Sequence, residues 1–395
     1  MVNPLLRGNR DLIKALNRNL LLNIIRREGA LSRTQLTDIS GLSVGAVSEI
    51  INDLIGKNWL LEIGDGGYTG GRRQVLVRLN PAAGYAVGLK LMEKQVTCAV
   101  TDFEANVLYY QPYDIDTDGS PAKLSTILAG VIEQTLDAAS VARDKLFGVG
   151  IGLAGVIDSS SGVVCYSPFF GWRDAPLTRL VQSQLNVPVY VENDVNTLTI
   201  TQQLFGRGRH HDHFVVVTVG RGIGMGIVIN GQLYRGVRGG AGEVGHIILA
   251  LNGLAEGASL ESLAADPAVM QYVADSGVKR PTQMADLVGA ASAGDMRSRE
   301  ALTRSGAYLG IGLATVINIL SPALVIVSGE GVQAGDHRLQ PMFETLQRYA
   351  FDGLLDDVEV VVEPTDDQDW ARGAASLVIS KVFESPLTDA HVNTL

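Results

Sequence analysis

Gly239-Gly-Ala-Gly-Glu-Val-Gly-His246, followed by Glu261 in Ala258-Ser-Leu-Glu, is the stretch from which the rest of the chain is best read. Its glycines let backbone approach a ligand closely, and they hold a carboxylate and an imidazole three residues apart. Upstream, Val191-Glu-Asn-Asp-Val-Asn196 follows the apolar run Val187-Pro-Val-Tyr-Val. Its amide and carboxylates therefore emerge at the carboxyl end of a strand, where open α/β sheets bind ligands. The candidate site residues are Asn193, Asp194, Glu243, His246 and Glu261. Such a set suits a polyhydroxy compound, because each sugar hydroxyl both donates and accepts. The plainer alternative is a Gly-rich turn that only connects strands, with a solvated Glu and His.

Around this stretch an α/β pattern repeats. Strands are expected at 85–91, 95–101 and 107–113, a helix at 122–139 and a strand at 146–153. A second set follows at 214–219, 224–229 and 232–234, with a long helix at 301–320 and a strand at 323–327. Two β-rich then α halves suggest a duplicated α/β domain with a cleft between lobes. Val219-Gly-Arg-Gly-Ile-Gly-Met-Gly-Ile-Val-Ile-Asn-Gly231 is either a phosphate-facing glycine loop or a tight hairpin. Ile326-Val-Ser-Gly-Glu-Gly-Val332 either borders an adenosine or turns a strand into a helix.

The first eighty residues read differently. Leu12, Ile13, Leu16, Leu20, Ile24 and Ile25 have helical spacing up to Gly29. Ser32-Arg-Thr-Gln35 has capping-box spacing and opens a short second helix that Gly41 stops. Ser43 caps a third, to about Lys57, with Val47, Ile50, Ile51 and Leu54 inward. Strands at 59–63 and 72–79 flank a flexible tip, which completes a winged helix-turn-helix. Double-stranded DNA is the expected partner. Ser43, Val44, Gly45 and Ser48 are slim enough for a major groove, and Arg33, Arg72 and Arg73 are the candidate phosphate or minor-groove contacts. Asn80-Pro81 looks like a hinge, dividing the chain into a DNA-binding domain, 1–81, and a two-lobed body, 82–395.

Composition bounds this reading. Residues 1–80 hold 11 Lys/Arg against 7 Asp/Glu, whereas the remainder holds 21 against 35. A basic module on an acidic body points to a polyanion partner for the module alone. Cys98 and Cys165 are the only cysteines, too few for a disulfide framework or a Cys-rich zinc site, and they fit a cytoplasmic protein. No stretch of about 18 apolar residues suggests a membrane span, and the opening residues do not resemble a signal peptide.

Taken together, these motifs resemble the ROK family, which groups bacterial sugar kinases with sugar-responsive repressors. The N-terminal part is similar to the repressor branch at Gly8-Asn9, Leu31-Ser-Arg-Thr-Gln-Leu36, Thr37-Asp-Ile-Ser-Gly-Leu-Ser43 and Gly70-Gly-Arg-Arg73. The body matches at Gly150-Ile-Gly-Leu-Ala-Gly155, Gly171-Trp172, Glu192-Asn-Asp194, Gly242-Glu-Val-Gly-His246 and Leu260-Glu261. The resemblance implies an actin-like, sugar-kinase-like body in which Asn193, Glu243, His246 and Glu261 bind sugar hydroxyls. Asp194 matches the general base of the kinases.

Two departures weigh between branches. The kinases open this body with an Asp-x-Gly-Gly-Thr phosphate loop, where this chain has Gly88-Leu-Lys-Leu-Met92; Arg221 stands where they carry a small hydroxyl residue. Losing that loop removes the positioning on which phosphoryl transfer depends, so Asp194 is expected to accept a sugar hydroxyl without catalysing. Many members bind zinc through the histidine matching His246 and three cysteines, but 247–259 holds no cysteine. No metal or other cofactor is expected, and apolar packing by Ile248, Leu249, Leu251 and Leu254 is expected to position Glu261. The reading is a sugar-responsive repressor, a homodimer or higher homo-oligomer released from its operator by a monosaccharide or phosphosugar. The alternative is an ATP-dependent sugar kinase with an appended DNA-binding module.

Overall fold

The computed structural model describes residues 10–66, 74–116, 119–251, 257–275, 281 and 283–386. At the N-terminal end, α1 (Arg10–Glu28) buries Leu21, Leu22 and Ile25. A two-residue strand, β1 (Leu31–Ser32), leads into α2 (Arg33–Ser40). The capping box forms as its spacing predicts: the Gln35 amide donates to Ser32 Oγ at 3.2 Å, and the Ser32 amide donates to Gln35 Oε1 at 2.9 Å. Gly41, at φ 69°, ends α2 in the left-handed region. Ser43 caps α3 (Val44–Gly56), whose buried Val47, Ile50, Ile51 and Leu54 follow one helical face. β2 (Leu60–Gly66) and β3 (Gln74–Leu79) pair antiparallel, and β1 adds to the other edge of β3. This is a helix-turn-helix with a wing.

Next come β4 (Tyr85–Leu91), β5 (Gln95–Thr101), β6 (Val107–Asp114), α4 (Pro121–Ala139) and β7 (Leu146–Leu153). They are followed by the small sheet β8 (Val156–Asp158), β9 (Val163–Ser167) and β10 (Trp172–Ala175), then α5 (Leu177–Gln182), β11 (Val189–Asn193) and α6 (Asp194–Phe205). The second half contains β12 (Phe214–Val219), β13 (Ile223–Ile229), β14 (Gln232–Leu233), β15 (Ile248–Leu251), β16 (Gly257–Ser259), α7 (Leu260–Ala264), α8 (Asp266–Ala274) and α9 (Met284–Ser292). It continues through α10 (Met296–Leu320), β17 (Leu324–Gly329), α11 (Asp336–Tyr349) and β18 (Glu359–Pro364) to the final helix α12 (Asp367–Phe383). Helix α10 begins earlier than apolar spacing alone predicts because Asp295 caps it, accepting from the Ser298 amide at 2.8 Å.

The expected duplication is present. One five-stranded sheet has the order β6-β5-β4-β7-β11 and the other β14-β13-β12-β17-β18. In each, three strands form an antiparallel meander and two more join in parallel. α4 and α10 occupy equivalent crossovers. Packing divides the chain into two compact units, the first running to His210 and resuming at Ala371, the second spanning His211–Trp370.

In the first unit, α12 lies directly on the sheet. Gly88 and Gly150 are register partners on β4 and β7. A Cβ on Gly88 would fall 2.0 Å from the Ala371 carbonyl oxygen, and one on Gly150 1.9 Å from that of Ala374. Only glycine permits that approach. The junction at Asn80-Pro81, read as a hinge, is built as packed structure. Asn80 is buried and donates to the Asn58 carbonyl at 2.7 Å. Beside it Trp59 packs edge-on to Phe103, which stacks on Phe383 with centroids 5.5 Å apart. Among the described residues no helix is long and apolar enough to cross a membrane.

Candidate functional site

The Val191–Asn196 motif lies where the sequence places it, at the carboxyl end of β11 and the start of α6. Asn193 is the N-cap of α6: its Oδ1 accepts from the amides of Val195 (2.9 Å) and Asn196 (3.2 Å), and its Nδ2 donates to the Gly155 carbonyl at 3.1 Å. Glu192 is fully buried, its Oε1 accepting from the Asn193 amide and from Asn196 Nδ2. Asp194 Oδ1 accepts from the Val195 amide at 2.9 Å. Its other oxygen, Oδ2, is closed by an ion pair with Lys90, the side chains being 12% and 11% exposed. A charge this deep in β4 requires a partner.

Lys90 was not among the expected site residues. Its signal was a single cation inside the otherwise apolar strand Tyr85-Ala-Val-Gly-Leu-Lys-Leu91. Cationic Lys90 donates to Asp194, whose carboxylate is thus already a hydrogen-bond acceptor.

In the second unit, Glu243, His246 and Glu261 come together at the start of β13. The Gly242 carbonyl accepts from the Met225 amide at 3.1 Å, and Val244 is buried, so the loop is anchored on both sides of Glu243. Glu243 and His246 stay open, 49% and 69% exposed, with Oε2 and Nε2 3.8 Å apart. Glu261, in the first turn of α7, accepts from the Ile223 amide through Oε2 at 2.9 Å. A Cβ on Gly245 would lie 3.2 Å from that same oxygen. Of the residues expected to position Glu261 by apolar packing, Leu249 packs against the core cluster that contains Leu260, the neighbour of Glu261. Ile248 is largely exposed, and Leu254 lies outside the described residues. Glu261 is held as well by the Ile223 amide, by buried Leu260, whose amide donates to the Ile247 carbonyl at 2.9 Å, and by the Ser259 cap of α7. No cluster of three or more His, Cys, Asp or Glu suited to a metal occurs among the described residues.

On the winged module, Ser43 Oγ accepts from the Ala46 amide at 3.3 Å. Val44 is 69% exposed, Gly45 faces open space, and Ser48 follows one turn on. The start of α3 is thus a smooth protrusion. Arg33 is engaged at the surface: its Nη2 donates to Asn52 Oδ1 at 3.0 Å and to Glu62 Oε1 at 2.9 Å, linking α2 to α3 and β2. Arg72 and Arg73 lie outside the described residues.

The C-terminal end of α6 meets the winged module. Arg26 of α1 donates from Nη1 to the carbonyls of Leu204 (2.7 Å) and Gln203 (3.3 Å). Burial, with Arg209 and Arg27 nearby, pulls its guanidinium down to about 10. Asn23 and Asn19 donate to the Phe383 carbonyl at 3.0 and 3.1 Å, and Asn19 also to that of Glu384 at 2.8 Å.

Comparison with known proteins agrees with this geometry. The family model described as "ROK family" matches residues 86–381. A putative xylose repressor of Caldicellulosiruptor sp. (strain Rt8B.4) is 31% identical over 395 residues, covering 96% of this chain and 99% of that protein. The xylose repressor of Bacillus subtilis (strain 168) is 30% identical over 381 residues, covering 95% and 98%. Among solved structures, a ROK family transcriptional regulator, a homolog of the E. coli MLC protein, superposes with a TM-score of 0.81 at 23% identity, covering 97% of this chain and all of that one. With both five-stranded sheets, the Glu192-Asn-Asp motif and the Gly-Glu-Val-Gly-His loop in place, the chain belongs to the ROK family.

Proposed function

We propose that this protein is a sugar-responsive, DNA-binding transcriptional regulator, a repressor that a monosaccharide or phosphosugar releases from its operator. The observation that carries the reading is Lys90 closed on Asp194 in a chain that also bears a winged helix-turn-helix. A carboxylate engaged by a buried lysine is poorly placed to take a proton from a sugar hydroxyl, since general-base catalysis needs an available acceptor. It still accepts a hydrogen bond. The same strand lacks the acidic residue, paired glycines and threonine of a kinase phosphate loop. Relatives named xylose repressors, matched over nearly their full length, support the same conclusion.

In this reading Asn193, Asp194, Glu243, His246 and Glu261 contact the sugar. Ser43, Val44, Gly45 and Ser48 enter the major groove, Arg72 and Arg73 contact the backbone or minor groove, and Arg33 sets the pose of α3. The regulator works as a homodimer in the cytoplasm, two recognition helices meeting half-sites about 34 Å apart. Sugar must bind the DNA-free pose more tightly than the DNA-bound pose to act as a switch.

The test has two parts. A thermal-shift screen against free and 6-phosphorylated sugars is expected to single out one sugar, with the shift lost in Glu243→Ala and His246→Ala. Selection of genomic fragments by the full chain is expected to recover a palindrome that the same sugar releases. Unchanged operator affinity at saturating sugar would sink the switch. Turnover of ATP with that sugar, abolished in Asp194→Asn, would establish the kinase instead.

A further inference from the structure

Strands β12 and β17 lie side by side in parallel, Thr218 beside Ser328. Each runs out into a glycine turn, Gly220-Arg-Gly222 after β12 and Gly329-Glu-Gly331 at the end of β17. The carboxyl ends of adjacent parallel strands are where α/β sheets place ligands, and glycine turns there aim backbone amides at anions. In this chain two of those amides already hold carboxylates. The Arg221 amide donates to Glu330 Oε1 at 3.2 Å, and the Ile223 amide donates to Glu261 Oε2 at 2.9 Å. Glu330 lies so close over the turn that a Cβ on Gly220 would come within 2.2 Å of its Oε1. The turn beneath is tight, the Gly220 amide donating to the Gly222 carbonyl at 3.0 Å. Gly329, at φ +93°, is pressed on the Val219 carbonyl, 2.4 Å from where its Cβ would be, so the two runs touch.

We propose that these paired glycine runs form an anion site whose occupant is the chain's own Glu330 carboxylate, with Glu261 as a second internal anion beside it. Phosphoanions are thereby excluded from a place built to receive them. Two effects act together. Glu330 is tethered one residue from Gly329, so it competes at the high effective concentration of an intramolecular group. An incoming phosphate that failed to displace it would sit within a few ångströms of like charge. The exclusion also has a structural use, because the turn that Glu330 covers continues directly into Ile223, whose amide holds Glu261. The inference deepens the non-enzymatic side of the reading above, and it concerns the second unit alone.

The test is calorimetric titration of the full chain with inorganic pyrophosphate and with magnesium ADP at fixed ionic strength. Wild type is compared with Glu330→Ala and Glu330→Gln. Wild type is expected to show no saturable binding up to the highest concentration tested, and Glu330→Ala to saturate with a pyrophosphate Kd at least about tenfold below that concentration. Glu330→Gln is expected to fall between them, since its amide oxygen still accepts from Arg221 while the charge is gone. Wild type binding either ligand as tightly as Glu330→Ala overturns the proposal. So does a Glu330→Ala protein that melts like wild type and binds no more tightly. Should Glu330→Ala fail to fold, Glu330→Gln binding pyrophosphate no better than wild type overturns it equally. DNA release by sugar is read in a separate experiment, so either idea can fail while the other stands.

Discussion

Arg26 Nη1 donates to the carbonyl of Leu204 across 2.7 Å, joining the first helix of the winged module to the last turn of α6. The opposite end of α6 is Asn193 and Asp194. A helix of 12 residues spans about 18 Å, so one rigid rod runs from the candidate sugar groups to the DNA-binding module. Arg26→Met removes a charged donor from two part-buried carbonyls and is expected to cost about 2 kcal/mol. Faster amide exchange in α1 with α4 unchanged is the local signature. Under the repressor reading, the variant keeps its sugar-induced thermal shift and loses sugar-induced release of DNA.

Removing Lys90 strips Asp194 of its ion-pair partner in a nearly closed setting. Lys90→Met is expected to destabilise by about 3–5 kcal/mol, as breaking a buried pair from one side does, and Lys90→Met with Asp194→Asn to recover most of that. Urea unfolding of both variants measures it. An additive double variant would show that the two residues do not act as a pair.

Gly88 and Gly150 are expected to tolerate no side chain. Gly88→Ala drives Cβ to 2.0 Å from the Ala371 carbonyl oxygen, which the close-packed helix cannot accommodate without moving. A loss of about 3 kcal/mol or more is expected. Gly45→Ala, facing open space on α3, should leave stability unchanged or slightly raised. Scanning calorimetry distinguishes the two.

Burial pushes the Cys98 thiol up to about 12 from an ordinary 9.0. Native protein is therefore expected to resist iodoacetamide at Cys98 near pH 8.5, and urea-unfolded protein to react there. Because the folded value is the higher one, this thiol's contribution to stability is complete below pH 9 and fades as pH rises towards 12. The gap in urea midpoint between wild type and Cys98→Ala is expected to shrink over that range.

Much of this architecture was legible because its determinants are local. Ser32 with Gln35, Ser43 before Val44, and Gly41 after α2 each settle a helix end within four residues. The two β-meanders followed from apolar spacing, and the site motifs from polar residues just past apolar strands. What escaped was non-local. Lys90 and Asp194 are separated by 104 residues and Arg221 and Glu330 by 109, so no window of sequence contains either pair. The partners of Arg33 are non-local too, since only the fold brings Glu62 of β2 beside it. At Asn80-Pro81, read as a hinge, turn-forming residues also suit a packed junction, where Asn80 is buried and holds the Asn58 carbonyl.

The contacts of Asn19 with the carbonyls of Phe383 and Glu384 join residues 364 and 365 positions apart. During synthesis the winged module leaves the ribosome before the helix that seats it. At about 5–20 residues per second, tens of seconds separate the two events. A nascent chain therefore carries a DNA-reading surface whose anchoring partners do not yet exist, and the module reaches its working posture only after α12 has been made.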